Sequence, residues 1–247
     1  MKIRVSTLGK IKEREILCRV ENVSKSYQMG GGTVYALKDF SLNIYQGEIL
    51  VILGPSGSGK STLLNLLGVM DTPDSGKVLF RGNDISSTDE KGKTAYRRHD
   101  IGFVFQSFNL IPDLTAVENI ALAAELCPDP LSPYDLLEEI GLAARCDHFP
   151  SQLSAGEQQR VAIARAIVKK PGMLLCDEPT GALDDASARQ TLMLLENVAS
   201  SKGSTVIIVT HNTAIGAMAD RILRLRSGCL AEIKENDLPI HAKDVEW

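Results

Sequence analysis

The chain contains no stretch long and apolar enough to cross a bilayer. Its longest apolar runs, such as LLNLLGVM (Leu63–Met70), fall far short of the ~20 residues required. A basic excess is also missing. Lys and Arg total 27 against 31 Asp and Glu, a net charge of −4, which argues against a general binder of the nucleic-acid backbone. The five cysteines (Cys18, Cys127, Cys146, Cys176, Cys229) are odd in number, scattered, and form no CxxC pair. Neither a disulfide framework nor a zinc site is expected, and a reducing compartment fits. The opening MKIRVSTLGKIKEREIL is too charged for a secretory signal. No internal repeat or low-complexity tract stands out.

What remains is an ordinary globular composition: 247 residues, 44% hydrophobic and 23% charged. That length suits one large domain or a core with an inserted subdomain. ILCRVENVSKSY and VYALKDFSLNI read as strands joined across the MGGG turn (Met29–Gly32). Four apolar runs follow, each ending on a polar or glycine residue. ILVIL leads into Gly54, IGFVF into Gln106, MLLC into Asp177 and Glu178, and TVIIVT into His211. Unbroken apolar runs suit parallel strands covered on both faces. In an open α/β sheet, ligands bind beyond the carboxyl ends of the strands, so four parallel strands would gather these endings along one edge. Residues 107–165 differ. They carry helical patterns (AVENIALAAEL, DLLEEIGLAARC) broken by prolines, and read as a helical subdomain set into a core of about 15–106 and 166–235. The tail ENDLPIHAKDVEW is polar and carries no evident signal.

GPSGSGKST (Gly54, Pro55, Ser56, Gly57, Ser58, Gly59, Lys60, Ser61, Thr62) follows a strand and opens a helical run. This is the P-loop pattern in the setting it requires. Glycines let backbone N–H groups wrap phosphates, and the helix N-terminus adds a favourable dipole. Lys60 would reach the β and γ phosphates of ATP, and the Ser61 hydroxyl would bind Mg²⁺. In MLLCDEPTG, Asp177 would hold Mg²⁺ opposite Ser61, and Glu178, pointing the other way, would orient or activate water. Cys176 reads as a small buried hydrophobe. Gln106 and His211 are weaker alone, since each residue type usually marks nothing after a strand. The shared edge lets Gln106 touch Mg²⁺ or water and lets His211 meet the γ-phosphate. Tyr27 would stack on adenine, with Tyr35 as its competitor.

QLSAGEQQRVAIARAIVKKPG (Gln152–Gly172) starts as a capped helix, with Ser154 followed by Glu157 at the N3 position. Gly156 in its first turn is out of place for a plain helix. Set beside a P-loop that lacks a lid for the γ-phosphate, it reads as room for a phosphate.

In order and spacing, GPSGSGKST, Gln106, LSAGEQQR, LLCDEPTGALD and His211 resemble the ATPase subunits of ABC transporters, from about Ile16 to Ile233. The resemblance implies an α/β fold. Its parts are a P-loop NTPase core with a mostly parallel sheet, an N-terminal antiparallel β subdomain and an inserted α-helical subdomain. It makes Tyr27 the adenine-stacking aromatic and Gly54–Thr62 Walker A. Gln106 becomes the Q-loop, Ser154–Glu157 the signature, Asp177 the Walker B aspartate and Glu178 the catalytic base. Asp184 becomes the D-loop aspartate and His211 the switch histidine. Several segments, among them GVMDTPDSGKVLFRG and RRHDIGFVFQSFNLIPDLTAVENI, resemble the macrolide-exporter and lipoprotein-release branch. ATP and Mg²⁺ are the implied cofactors. The implied partners are a second copy bound head to tail and a membrane permease received near Ser107–Leu114, with no nucleic acid. The implied location is the cytoplasmic face of the bacterial inner membrane. The rival readings are an importer ATPase, a soluble ABC enzyme acting on nucleic acid, and a small-molecule P-loop kinase. The common signature Leu-Ser-Gly-Gly-Gln is here Leu153-Ser154-Ala155-Gly156-Glu157, which sets a carboxylate near an anion site unless the capping box turns it away.

Overall fold

The computed structural model describes residues 14–30 and 32–246. Two sheets and a block of helices account for most of it. The first sheet has the order β2-β1-β4-β5, from β1 (Ile16–Met29), β2 (Gly32–Tyr45), β4 (Ser75–Phe80) and β5 (Asn83–Asp84). All of its pairings are antiparallel. The second has the order β10-β9-β3-β8-β7-β6. Its strands are β3 (Ile49–Leu53), β6 (Ile101–Val104), β7 (Met173–Asp177), β8 (Thr205–Thr210), β9 (Arg221–Arg226) and β10 (Cys229–Glu235). The four apolar runs are β3, β6, β7 and β8, and they are parallel as the unbroken runs require. Beyond β3, β9 continues the parallel order and β10 pairs with it as an antiparallel edge strand.

The period-2 geometry of β3 divides the core. Ile49, Val51 and Leu53 face one apolar cluster, and Leu50 and Ile52 face another. The first is shared with α3 (Ala116–Ala124), α4 (Pro133–Glu139), α5 (Ala155–Ile167) and α6 (Asp185–Lys202). The second is shared with α1 (Lys60–Leu67) and the antiparallel sheet. Both faces of the parallel sheet are therefore dry, which is why its strands carry no polar alternation. Helix α2 (Glu90–His99) closes the second cluster through Tyr96, whose hydroxyl donates to the Leu67 carbonyl at 2.9 Å.

The tail departs from its sequence reading. Ala242 and Val245 are buried in the first cluster, and Glu196 of α6 accepts the Ala242 N–H at 3.1 Å. Two well-placed apolar side chains and a few backbone bonds suffice to dock a segment whose average composition is polar.

Candidate active site

The parallel order brings the ends of β3, β7 and β8 side by side, with β6 beyond β7, so the predicted polar endings share one edge. The loop after β3 runs from Gly54 and turns into α1 at Gly59. Gly59 has φ +102°, and a Cβ there would collide with the Ala36 carbonyl oxygen of β2. Only glycine satisfies both conditions. Helix α1 starts without a side-chain cap and without an acid in its first turn. By contrast α2, α3, α4, α5 and α6 are capped by Asp89, Thr115, Ser132, Ser154 and Asp184. Uncapped amides at a helix start call for an anion from outside.

The side chains around that start are the ones an anion and a hard cation need. Lys60 Nζ donates to the carbonyl oxygens of Gly54 (2.8 Å) and Pro55 (3.1 Å), so its charge is held over the loop by exchangeable contacts. Ser58 Oγ is buried without a hydrogen-bond partner among the described residues. Pro55, Ser56, Gly57 and Thr62 complete the turn. Ser61 Oγ donates to Asp177 Oδ1 at 3.4 Å, joining the P-loop to the end of β7. Burial raises the Asp177 carboxyl above its usual range, and the neighbouring Glu178 pushes the same way against the Ser61 hydrogen bond and the Lys60 charge. A hydroxyl and one carboxylate on adjoining elements form a fitting donor set for Mg²⁺, which takes few protein ligands beside substrate phosphates. No group of three or more His, Cys, Asp or Glu suited to a metal occurs among the described residues.

Glu178 turns away from Asp177. It is a non-glycine residue at φ +46°, tied by its own N–H to the Val209 carbonyl at 2.9 Å. Such a backbone costs about 1–3 kcal/mol and persists where the surroundings fix it. Its carboxylate is fixed too. Oε2 accepts from Thr210 Oγ1 (2.9 Å) and Oε1 lies 2.9 Å from His211 Nδ1. Thr210 escaped the sequence reading, although it ends the strand that delivers His211. Gln106 is exposed two residues past β6, and a Cβ added at Gly181 would lie 3.6 Å from its side-chain nitrogen.

Tyr27 is separated from its competitor by β-sheet geometry. Tyr27 pairs with Val34 and Ser26 with Tyr35, so the two tyrosines occupy opposite faces of the ribbon. The Tyr27 hydroxyl donates to Asp71 Oδ2 at 2.8 Å and also interacts with Thr62 of the P-loop. Lys25 Nζ holds the other oxygen of Asp71 at 2.7 Å. Tyr35 instead sits under the Lys38 ammonium, 5.4 Å from the ring centre. The clamp by Asp71 was not foreseen, because nothing in a MDTPD turn signals it.

The capping box at α5 is complete. Glu157 Oε2 accepts the Ser154 N–H at 2.8 Å, and Ser154 Oγ accepts the Glu157 N–H at 3.3 Å. The hydrogen bond from the Ser154 amide, with lesser help from Arg145 and Arg160, holds the Glu157 carboxyl below its usual range. Gly156 has a reason within the chain: a Cβ there would lie 2.5 Å from Ser187 Oγ and 2.6 Å from Ser187 Cβ. Ser187 is bound in turn to Asp184, the N-cap of α6. Asp184 and Gly156 thus belong to one helix–helix contact.

The geometry agrees with comparisons to known proteins. The family model described as "ABC transporter" matches residues 37–181. The lipoprotein-releasing system ATP-binding protein LolD of Shewanella oneidensis is 42% identical over 222 residues, covering 88% of this chain and 96% of that one. The macrolide export ATP-binding/permease protein MacB of Bdellovibrio bacteriovorus is 42% identical over 215 residues, 85% of this chain but 33% of that protein. Among solved structures, the post-hydrolysis dimer of the ATP-binding cassette MJ0796 bound to ADP and Pi superposes with a TM-score of 0.82. Its identity is 40%, over 88% of this chain and 98% of that one. The chain belongs to the ABC transporter family, as one of its ATP-hydrolysing cassettes.

Proposed function

We propose that the chain is the motor of a bacterial membrane complex that extracts or exports a lipoprotein-like or other hydrophobic substrate, working as a head-to-tail dimer on a separate permease. The single observation that carries the chemistry is the doubly held carboxylate of Glu178, beside a P-loop whose helix has no cap of its own. A general base needs both a fixed direction and a proton path. Thr210 and His211 supply the direction. Lys60 exchanges the carbonyls of Gly54 and Pro55 for the β and γ phosphates, and the amides of Gly57 to Thr62 take the remaining oxygens. Ser61 and Asp177 hold Mg²⁺, which neutralises charge on those phosphates when bound. Gln106 orients water at the rim and Tyr27 carries the adenine.

Ser154 and the amide of Gly156 act on the γ-phosphate of the other subunit. In support, Ser154 is exposed at the N-cap of α5, where an incoming phosphate can reach it. Asp184 sets the loop before α6 by capping it. The helical block 107–165 serves as the lever. Its loop Ser107–Leu114 is fastened through the backbone, with Arg165 on the carbonyls of Phe108 and Asn109 and Asn119 on Ile111 and Leu114. That leaves Ile111 exposed and Phe108 half-buried, an apolar surface suited to a permease segment, while Leu110 packs against the first cluster. No helix among the described residues is long and apolar enough to cross a membrane. The similarity to LolD and MacB supports the branch and, with it, a site on the cytoplasmic face of the inner membrane.

Glu178→Gln tests this reading. The variant should bind ATP normally, lose nearly all turnover and accumulate as an ATP-bound dimer in size-exclusion chromatography. Turnover like that of the parent protein would remove Glu178 from the role of base.

A further inference from the structure

The carboxylate of Glu157 stands at the start of α5, where the proposed γ-phosphate of the second subunit would arrive. Left unbalanced, it would repel that phosphate. Both of its oxygens are nevertheless committed. Oε2 accepts the Ser154 N–H at 2.8 Å, and Oε1 faces Arg145 Nε at 3.6 Å. Arg145 ends the short 3-10 turn Ala143–Arg145 after α4, and its Nη1 lies 3.1 Å from His148 Nε2. The guanidinium is therefore steered from a separate segment of the helical block. A second cation, Arg160, lies on the same side but is bound to Gln190 of α6 at 2.6 Å.

We propose that Arg145 is a positioning residue for the composite ATP site: it draws the Glu157 carboxylate back onto the helix end and cancels its charge, so that Ser154 can meet the partner's phosphate. This inference rests on the in-trans reading of Ser154 given above. It explains how a signature ending in Glu remains compatible with ATP-driven closure. One oxygen of the acid caps the helix, and the other is neutralised by an arginine twelve positions upstream in the chain. Ser154, exposed at the N-cap of α5, stays accessible to the incoming anion.

The size of the effect follows from exposure. Arg145 is about half exposed and Glu157 about one-fifth. Contacts of this kind shift an equilibrium by up to about fivefold. A two-fold dimer contains two such sites, so the effects multiply to as much as about twenty-five-fold in the dimer dissociation constant. Salt should shrink the difference, because the screening length falls from about 10 Å at 0.1 M to about 3 Å at 1 M.

The experiment is a cycle measured by sedimentation in the Glu178→Gln background with ATP and Mg²⁺. Arg145→Ala should weaken the ATP-bound dimer by roughly two- to twenty-five-fold while leaving ATP affinity of the monomer and its melting temperature near those of the parent. Arg145→Lys should recover much of the loss, and Arg145→Ala with Glu157→Gln should recover most of it by removing the charge that Arg145 balances. A loss that persists in the double variant, or that does not shrink in high salt, would overturn the role of Arg145. So would an Arg145→Ala dimer as tight as the parent. Ser154→Ala serves as the control for the underlying reading. If it leaves the dimer untouched, the in-trans contact fails and the inference falls with it; if it loosens the dimer while Arg145→Ala does not, only the role of Arg145 is lost.

Discussion

Replacing Gly156 with alanine separates two reasons for a glycine in the first turn of α5. The added Cβ would meet Ser187 Oγ at 2.5 Å and Ser187 Cβ at 2.6 Å, both too close for any side chain. Ser187 has little room to retreat. Its N–H donates to Asp184 Oδ1 at 3.0 Å and its hydroxyl to Asp184 Oδ2 at 2.8 Å, the bonds that start α6. Overpacking of this kind costs about 1–3 kcal/mol, and alanine returns at most about 1 kcal/mol of helix propensity. A mid-range overpacking cost of about 2 kcal/mol less at most about 1 kcal/mol of propensity leaves a net loss of about 1–2 kcal/mol, or a fall of roughly 2–8 °C in melting temperature at this chain length. Ser187→Gly removes both clashing atoms at the expense of its own hydroxyl bond to Asp184, so in that background Gly156→Ala should cost little further stability in urea unfolding. ATP-driven dimerisation should stay impaired in the double variant if the glycine also admits a phosphate. A Gly156→Ala protein as stable as its parent, or a deficit that Ser187→Gly leaves intact, would refute the packing argument.

Three further outcomes follow from other contacts. Tyr27→Phe and Asp71→Ala should each weaken ATP binding several-fold, about the worth of one hydrogen bond of ~1 kcal/mol, and together no more than either alone. Fluorescent-nucleotide titration reads this cycle, and additive losses would contradict the clamp. His211→Ala should lower kcat by roughly a hundredfold with little change in KM, because it frees one oxygen of Glu178 without touching the phosphate cradle; a change confined to KM would contradict that role. Burial lowers the Lys169 ammonium to about 8, while its Nζ donates to the Arg97 carbonyl at 2.6 Å. The folded state thus releases its proton before the unfolded chain does at about 10.4. Stability should rise as pH climbs through that window. Urea unfolding of Lys169→Met should lack this rise, and an identical slope in both proteins would show that Lys169 stays charged.

Much of the fold was legible because β3, β6, β7 and β8 are covered on both faces, and a strand without polar alternation belongs in such a layer even where, like β6, it ends the sheet. The P-loop, Asp177, Glu178 and His211 were legible for a related reason: each stands at the end of such a strand. Contacts made across long separations were not. Gly156 was visibly odd, but its partner Ser187 lies thirty-one residues away on another helix. Asp71 looks like any turn aspartate until β1 brings Tyr27 to it. The tail shows the limit of composition, since Ala242 and Val245 dock on a surface built mainly by earlier elements.

The most direct test is complementation between two broken subunits. Lys60→Ala disables the P-loop, and Ser154→Arg blocks the signature. If each ATP site is built from both chains, a mixed dimer keeps one intact site opposite one doubly defective site. An equal mixture should recover up to about a quarter of parental hydrolysis, since half the dimers are mixed and each has one working site of two. It should also form ATP-dependent dimers that neither variant forms alone. If every site were complete within one chain, the mixture would stay as inactive as its components, and the shared site would be contradicted.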